Sequence, residues 1–123
     1  MPAVADATTE NFRDLVADGT VLVDVWGPAC APCVALGPHV EAIAEERPAL
    51  RVLKLEAPKA RRLCIELKVM GMPAFLLFRD GEEMARLHDP QLSAAKLRAW
   101  LDDELEPDKL DGERPEGDDV EGR

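Results

Sequence analysis

The chain alternates between short runs in which nearly every position is apolar and longer stretches in which apolar positions recur every three or four residues. The first pattern predicts buried strands and the second amphipathic helices. Val21-Leu22-Val23-Asp24-Val25-Trp26 is apolar on both faces but for one carboxylate, and predicts a central strand. Arg51-Val52-Leu53-Lys54-Leu55 and Ala74-Phe75-Leu76-Leu77-Phe78 predict two more. Asp80-Gly81 is a strong hairpin signal, so residues 83–87 are expected to return antiparallel. Helical spacing runs through residues 30–47, where Val34, Leu36, Val40, Ile43 and Ala44 are apolar and Pro38 is expected to kink the helix. Shorter helices are expected after Thr8-Thr9 and over residues 59–67. A last one spans 91–105, with Leu92, Leu97, Trp100 and Leu101 on one face. The order predicts an α/β layered sandwich: a central mixed β-sheet, parallel strands plus an antiparallel hairpin, flanked by helices.

Charge changes the picture only at the C-terminus. Of the 25 acidic residues, 11 fall within 102–123, beside 3 of the 15 basic ones. A domain over 1–105 followed by an acidic, disordered tail over 106–123 is expected. The remainder is nearly neutral and shows no basic stripe, so nucleic acid is not an expected partner. No apolar run approaches the ~20 residues of a membrane span. The start, MPAVADATTENF, lacks the basic and apolar regions of a secretory signal. A cytoplasmic monomer is expected, in a compartment where cysteines more often serve catalysis or metal binding than cross-linking.

The candidate chemistry lies in Trp26-Gly27-Pro28-Ala29-Cys30-Ala31-Pro32-Cys33. Cys30 is expected at the first turn of a helix, whose partial positive charge and free N–H groups favour a thiolate. Two cysteines at this spacing are a redox pair, half of a metal site, or two small core residues. A zinc site needs about four ligands, and the remaining candidates, Cys64, His39 and His88, form no second paired motif. An iron–sulfur cluster shared between two chains is a further alternative. A CxxC pair beside a βαβ pattern favours redox chemistry. Asp24 is expected to be buried, given its apolar neighbours, rather than solvated at a strand edge. Lys54 reads equally well as a surface lysine. Cys64, among Leu63, Ile65 and Leu67, reads as an inert buried thiol, with a second redox sensor as the alternative. His39 and His88 read as solvated or capping groups, and Trp26 and Trp100 as core, with a wall of the cysteine site as the alternative for Trp26.

The motifs together resemble the thioredoxin family. Asp24 and Trp26 on a strand, Cys30-Ala31-Pro32-Cys33, Pro38 in the following helix, Lys54, and Gly71-Met72-Pro73-Ala74 occur in the family's order, and the resemblance covers about residues 8–104. It implies a thioredoxin-like fold and a thiol–disulfide oxidoreductase that reduces protein disulfides and needs no bound cofactor. By the same resemblance Cys30 is the nucleophile and Cys33 the resolving thiol. Asp24 is the proton acceptor, with Lys54 beside it. Met72 and a cis Pro73 present backbone to an extended substrate, with Trp26, Ala29, Ala31 and Pro32 around the pair. Electrons come from a reductase or small thiols. The sequence departs from the family pattern at Ala29, Ala31, Val34 and His88-Asp89-Pro90, which implies a kept redox core and an altered docking rim. The competing readings are a binding module for one dedicated partner, with the pair as a switch, and an oxidant or isomerase of the same fold.

Overall fold

The computed structural model describes residues 4–106. Beyond Glu106, the expected tail lies outside the described residues. Five strands form one sheet in the order β1-β3-β2-β4-β5. They are β1 (Val4–Ala7), β2 (Thr20–Trp26), β3 (Arg51–Glu56), β4 (Ala74–Arg79) and β5 (Glu82–His88). β3 runs parallel to both β1 and β2, whereas β4 is antiparallel to β2 and β5. The helices are α1 (Phe12–Leu15), α2 (Ala31–Glu46), α3 (Arg61–Glu66) and α4 (Ala94–Glu104).

Two apolar clusters lie on opposite faces of the sheet. Phe12 and Val16 from around α1, and Leu63 and Leu67 from around α3, pack on Val21, Val23, Val25 and Leu76. Leu36, Val40 and Ile43 from α2, with Leu97 and Leu101 from α4, pack on Leu22, Val52, Phe75 and Leu77. Because strand side chains alternate between faces, β2 buries Val21, Val23 and Val25 on one side and Leu22 and Asp24 on the other. That is why its sequence shows no alternation.

The hairpin between β4 and β5 turns on Asp80 and Gly81, both at positive φ (50° and 89°), as a tight two-residue turn requires. Asp80 Oδ1 also accepts from the Gly19 N–H at 2.9 Å, tying this turn to the entry of β2. α4 starts at Ser93, whose hydroxyl accepts from the Lys96 N–H at 3.1 Å.

Three elements, β1, α1 and α3, differ from expectation. β1 was not anticipated. The segment after Thr8-Thr9 forms first a turn, in which Thr8 and Asn11 exchange side-chain-to-backbone hydrogen bonds, and its helix is only four residues long. The helix expected over 59–67 is split: Ala57–Lys59 is a 3₁₀ turn containing Pro58, Ala60 leaves helical geometry, and α3 begins at Arg61. Pro38 lies inside α2, which continues through it.

Candidate active site

Cys30 is the N-cap of α2. Its backbone is extended (φ −95°, ψ 102°), and its Sγ accepts from the Cys33 N–H at 3.2 Å. The chain reaches this point through Gly27-Pro28-Ala29, where the Cys30 N–H donates to the Gly27 carbonyl at 3.0 Å. Pro32 falls in the first helical turn, where its missing N–H leaves nothing unsatisfied. One turn separates the two sulfurs, and they are joined: Cys30 and Cys33 form a disulfide with Cα atoms 5.2 Å apart. Cys33 is buried and Cys30 half-buried. The fold thus aims a helix N-terminus at one partly accessible sulfur. On reduction, the same N–H and the positive end of α2 stabilise a thiolate there.

Asp24 stands on the face of β2 that α2 covers. It is the one buried carboxylate among the described residues, 2% exposed, and its Oδ2 has no hydrogen-bond partner. Burial pushes its carboxyl up to about 7, and the Lys54 ammonium pulls the other way. Lys54 is directly opposite Asp24 in the β2–β3 register and half-buried. Its Nζ lies 4.3 Å from the centroid of the Trp26 ring, a cation–π contact. Trp26 and Lys54, with Asp6, Glu56 and Lys59, line a cleft of about 290 Å³. Asp24, Trp26, Lys54 and the cysteine pair are therefore brought to one end of the central strands. Trp26 is half-buried and walls this cleft, one of its two expected places, and Trp100 is half-buried against the α2–α4 cluster.

The Met72–Pro73 peptide is cis, and Pro73 is buried. The Met72 side chain turns toward Gly27, where a Cβ would sit 3.2 Å from its methyl carbon and 3.6 Å from Pro58. This places the Gly71–Pro73 loop against the segment that leads into Cys30. Ala29 and Ala31 are exposed and Pro32 is half-buried, flanking the pair. Val34 is 53% exposed and Met70, just before the loop, 94%. Cys64 is buried, is not part of a disulfide, and burial pushes its thiol up, away from the reactive thiolate range. Among the described residues no group of three or more His, Cys, Asp or Glu is placed to hold a metal ion.

Two contacts had no counterpart in the sequence reading. One is Lys54 over Trp26, which only the pairing of β2 with β3 brings together. The other is His88, whose Nδ1 lies 3.0 Å from the Pro73 carbonyl oxygen. Its signal in the sequence was the departure from the family pattern at residues 88–90.

Comparison with known proteins gives this geometry its family. The thioredoxin family profile matches residues 3–103. The chain is 39% identical to a thioredoxin of Chlamydia trachomatis over 77 residues, 63% of this chain and 76% of that protein. It is 36% identical to a thioredoxin of Acetoanaerobium sticklandii over 97 residues, 78% and 92% of the two chains. Among solved structures, a mutant thioredoxin from Halobacterium salinarum superposes with a TM-score of 0.75 at 25% identity, covering 85% of this chain and 94% of that one. The disulfide at the head of α2, on a five-stranded mixed sheet between two helical layers, is that of a thiol–disulfide oxidoreductase, and the chain belongs to the thioredoxin family.

Proposed function

We propose that the protein reduces disulfides in protein substrates, with Cys30 as nucleophile, Cys33 as resolving thiol and Asp24 as proton acceptor. One observation carries this: the half-buried Cys30 sulfur caps α2, while its partner Cys33 is buried on the side of the sheet where Asp24 lies. In the reduced protein the Cys30 thiolate attacks one sulfur of the substrate disulfide. An Sγ–S bond forms, the substrate S–S bond breaks, and one substrate thiolate leaves and takes a proton from water. Cys33 then passes its proton to Asp24 and attacks Cys30 Sγ. The Cys30–Cys33 disulfide closes, and the second substrate thiol departs with two electrons transferred in all. A carboxyl with a pKa of about 7 is half ionised near neutrality, so it can take that proton and return it to solvent.

Lys54 moderates the cost of ionising Asp24. Met72 and Pro73 offer the loop backbone to an extended substrate, as in strand addition. Trp26, Ala29, Ala31 and Pro32 line the approach. The oxidised protein is returned to the dithiol by a reductase or a small thiol. A reducing compartment, the cytoplasm, fits this cycle, and no described helix is long and apolar enough to cross a membrane.

The test uses the full chain with a dithiol donor and hydroxyethyl disulfide or a disulfide-linked peptide pair. Cys30→Ser is expected to abolish turnover of both. Cys33→Ser is expected to accumulate a mixed disulfide between Cys30 and the peptide, visible by intact mass. Turnover that survives in Cys30→Ser overturns the mechanism.

A further inference from the structure

The loop that carries Met72 and Pro73 is held from one strand. Arg86 and His88 are two apart on β5, so their side chains leave the same face of the sheet. Arg86 donates to the carbonyls of Leu67 and Lys68 at 2.7 and 3.0 Å, where the loop leaves α3. His88 reaches the other end. Its Nδ1 is 3.0 Å from the Pro73 oxygen. A carbonyl only accepts, so this bond requires the proton on Nδ1. The ring also lies against Gly71: a Cβ there would sit 2.9 Å from Cε1 and 3.0 Å from Nε2. That is closer than real Cβ contacts come, so the imidazole occupies the space a side chain at residue 71 would need.

Building on the oxidoreductase reading above, we infer that His88 is a positioning residue for substrate selection. Its imidazole holds the Pro73 carbonyl and lies against Gly71, while the Met72 side chain packs toward Gly27. A peptide substrate that pairs with this backbone meets a preset edge and loses less freedom on docking. A disulfide without a peptide backbone gains nothing from that edge. His88 therefore favours disulfides set in an extended, backbone-exposed segment over small non-peptide disulfides. It touches no reacting atom, and its role is exerted through the loop.

The experiment compares kcat and KM for a disulfide-linked peptide pair and for hydroxyethyl disulfide, using the full chain. His88→Ala is expected to raise KM for the peptide about threefold or more, the loss of one ordinary hydrogen bond. Preference for the peptide over hydroxyethyl disulfide should fall by the same factor. His88→Asn, whose side-chain amide can stand where Nδ1 stood, is expected to restore both. Gly71→Ala, whose new Cβ displaces the ring, should mimic His88→Ala, and the double variant should show no further rise. An equal change on both substrates, no change on either, or a folded His88→Asn that fails to rescue overturns the proposal. Additive effects of the two single variants do the same. Absence of turnover by the unaltered chain defeats the oxidoreductase reading itself, and this role with it.

Discussion

A carboxyl group buried with one oxygen unpartnered should weigh on stability in a way that pH reveals. Asp24 has its folded pKa raised from 3.8 to about 7. Between those values the unfolded chain has lost this proton and the folded protein still holds it. Stability therefore falls as pH rises through that window and levels off above it. The gap corresponds to at most about 4 kcal/mol. Asp24→Asn is expected to be more stable than the parent above pH 7, by roughly 2–4 kcal/mol, and the two should converge near pH 4. Urea midpoints at three pH values test this, and a parent that is the more stable of the two at pH 8 contradicts it. The same variant should slow mixed-disulfide resolution at pH 7 by about tenfold or more, because it removes the proton acceptor proposed for Cys33. At this scale the sequence was informative wherever chemistry is local. Cys30 and Cys33 are legible from their spacing, and Asp24 from its apolar neighbours. Lys54 beside Asp24 came only with the family resemblance, and its contact with Trp26 not at all, because both depend on two strands 25 or more residues apart coming into register.

Elements are held by their ends, and β5 shows how. α3 closes with Lys68 at positive φ (59°), the Lys68 N–H donating to the Ile65 carbonyl and the Val69 N–H to the Cys64 carbonyl. The carbonyls of Leu67 and Lys68, past the helix end, are taken up by Arg86, which is itself paired with Glu83. Arg86→Met is expected to cost about 1–2 kcal/mol, the lower part of the range for charged hydrogen bonds, because the side chain is 37% exposed. Denaturant midpoints check it, and a loss under 0.5 kcal/mol would leave the contact with no role in stability. None of this is readable from the segment itself: nothing in Lys68-Val69 announces a partner 18 residues later. The strand β1 was missed for a related reason. Val4-Ala5-Asp6-Ala7 is short, half-exposed and weakly patterned, and it exists because β3 offers an edge. Conversely, β2, β4 and α2 were legible because each carries a long apolar pattern of its own.

For the molecule as a whole, the strand order β1-β3-β2-β4-β5 could not be read from patterning, because it rests on pairing between segments far apart in the chain. The boundary proposed at residue 105 rests on packing. Leu105 is half-buried against the α2–α4 cluster, and its N–H donates to the Leu101 carbonyl at 2.9 Å. Ending the chain after Glu106 is therefore expected to leave the midpoint of thermal unfolding within about 2 °C. A larger drop, read by circular dichroism, would place part of the fold beyond that point.

The central strand carries one more consequence. β2 is covered on both faces, so its valines and leucine would be content with either orientation of the pleat. Among its buried residues, only Asp24 distinguishes the two. In the observed register it has Lys54 opposite; slid by one residue, it would enter the opposite cluster among Phe12, Leu63 and Phe78 with no cation beside it. The residue that weakens the folded protein above pH 7 thus also gives an otherwise symmetric strand its handedness of insertion, and the misaligned fold is the one it penalises most.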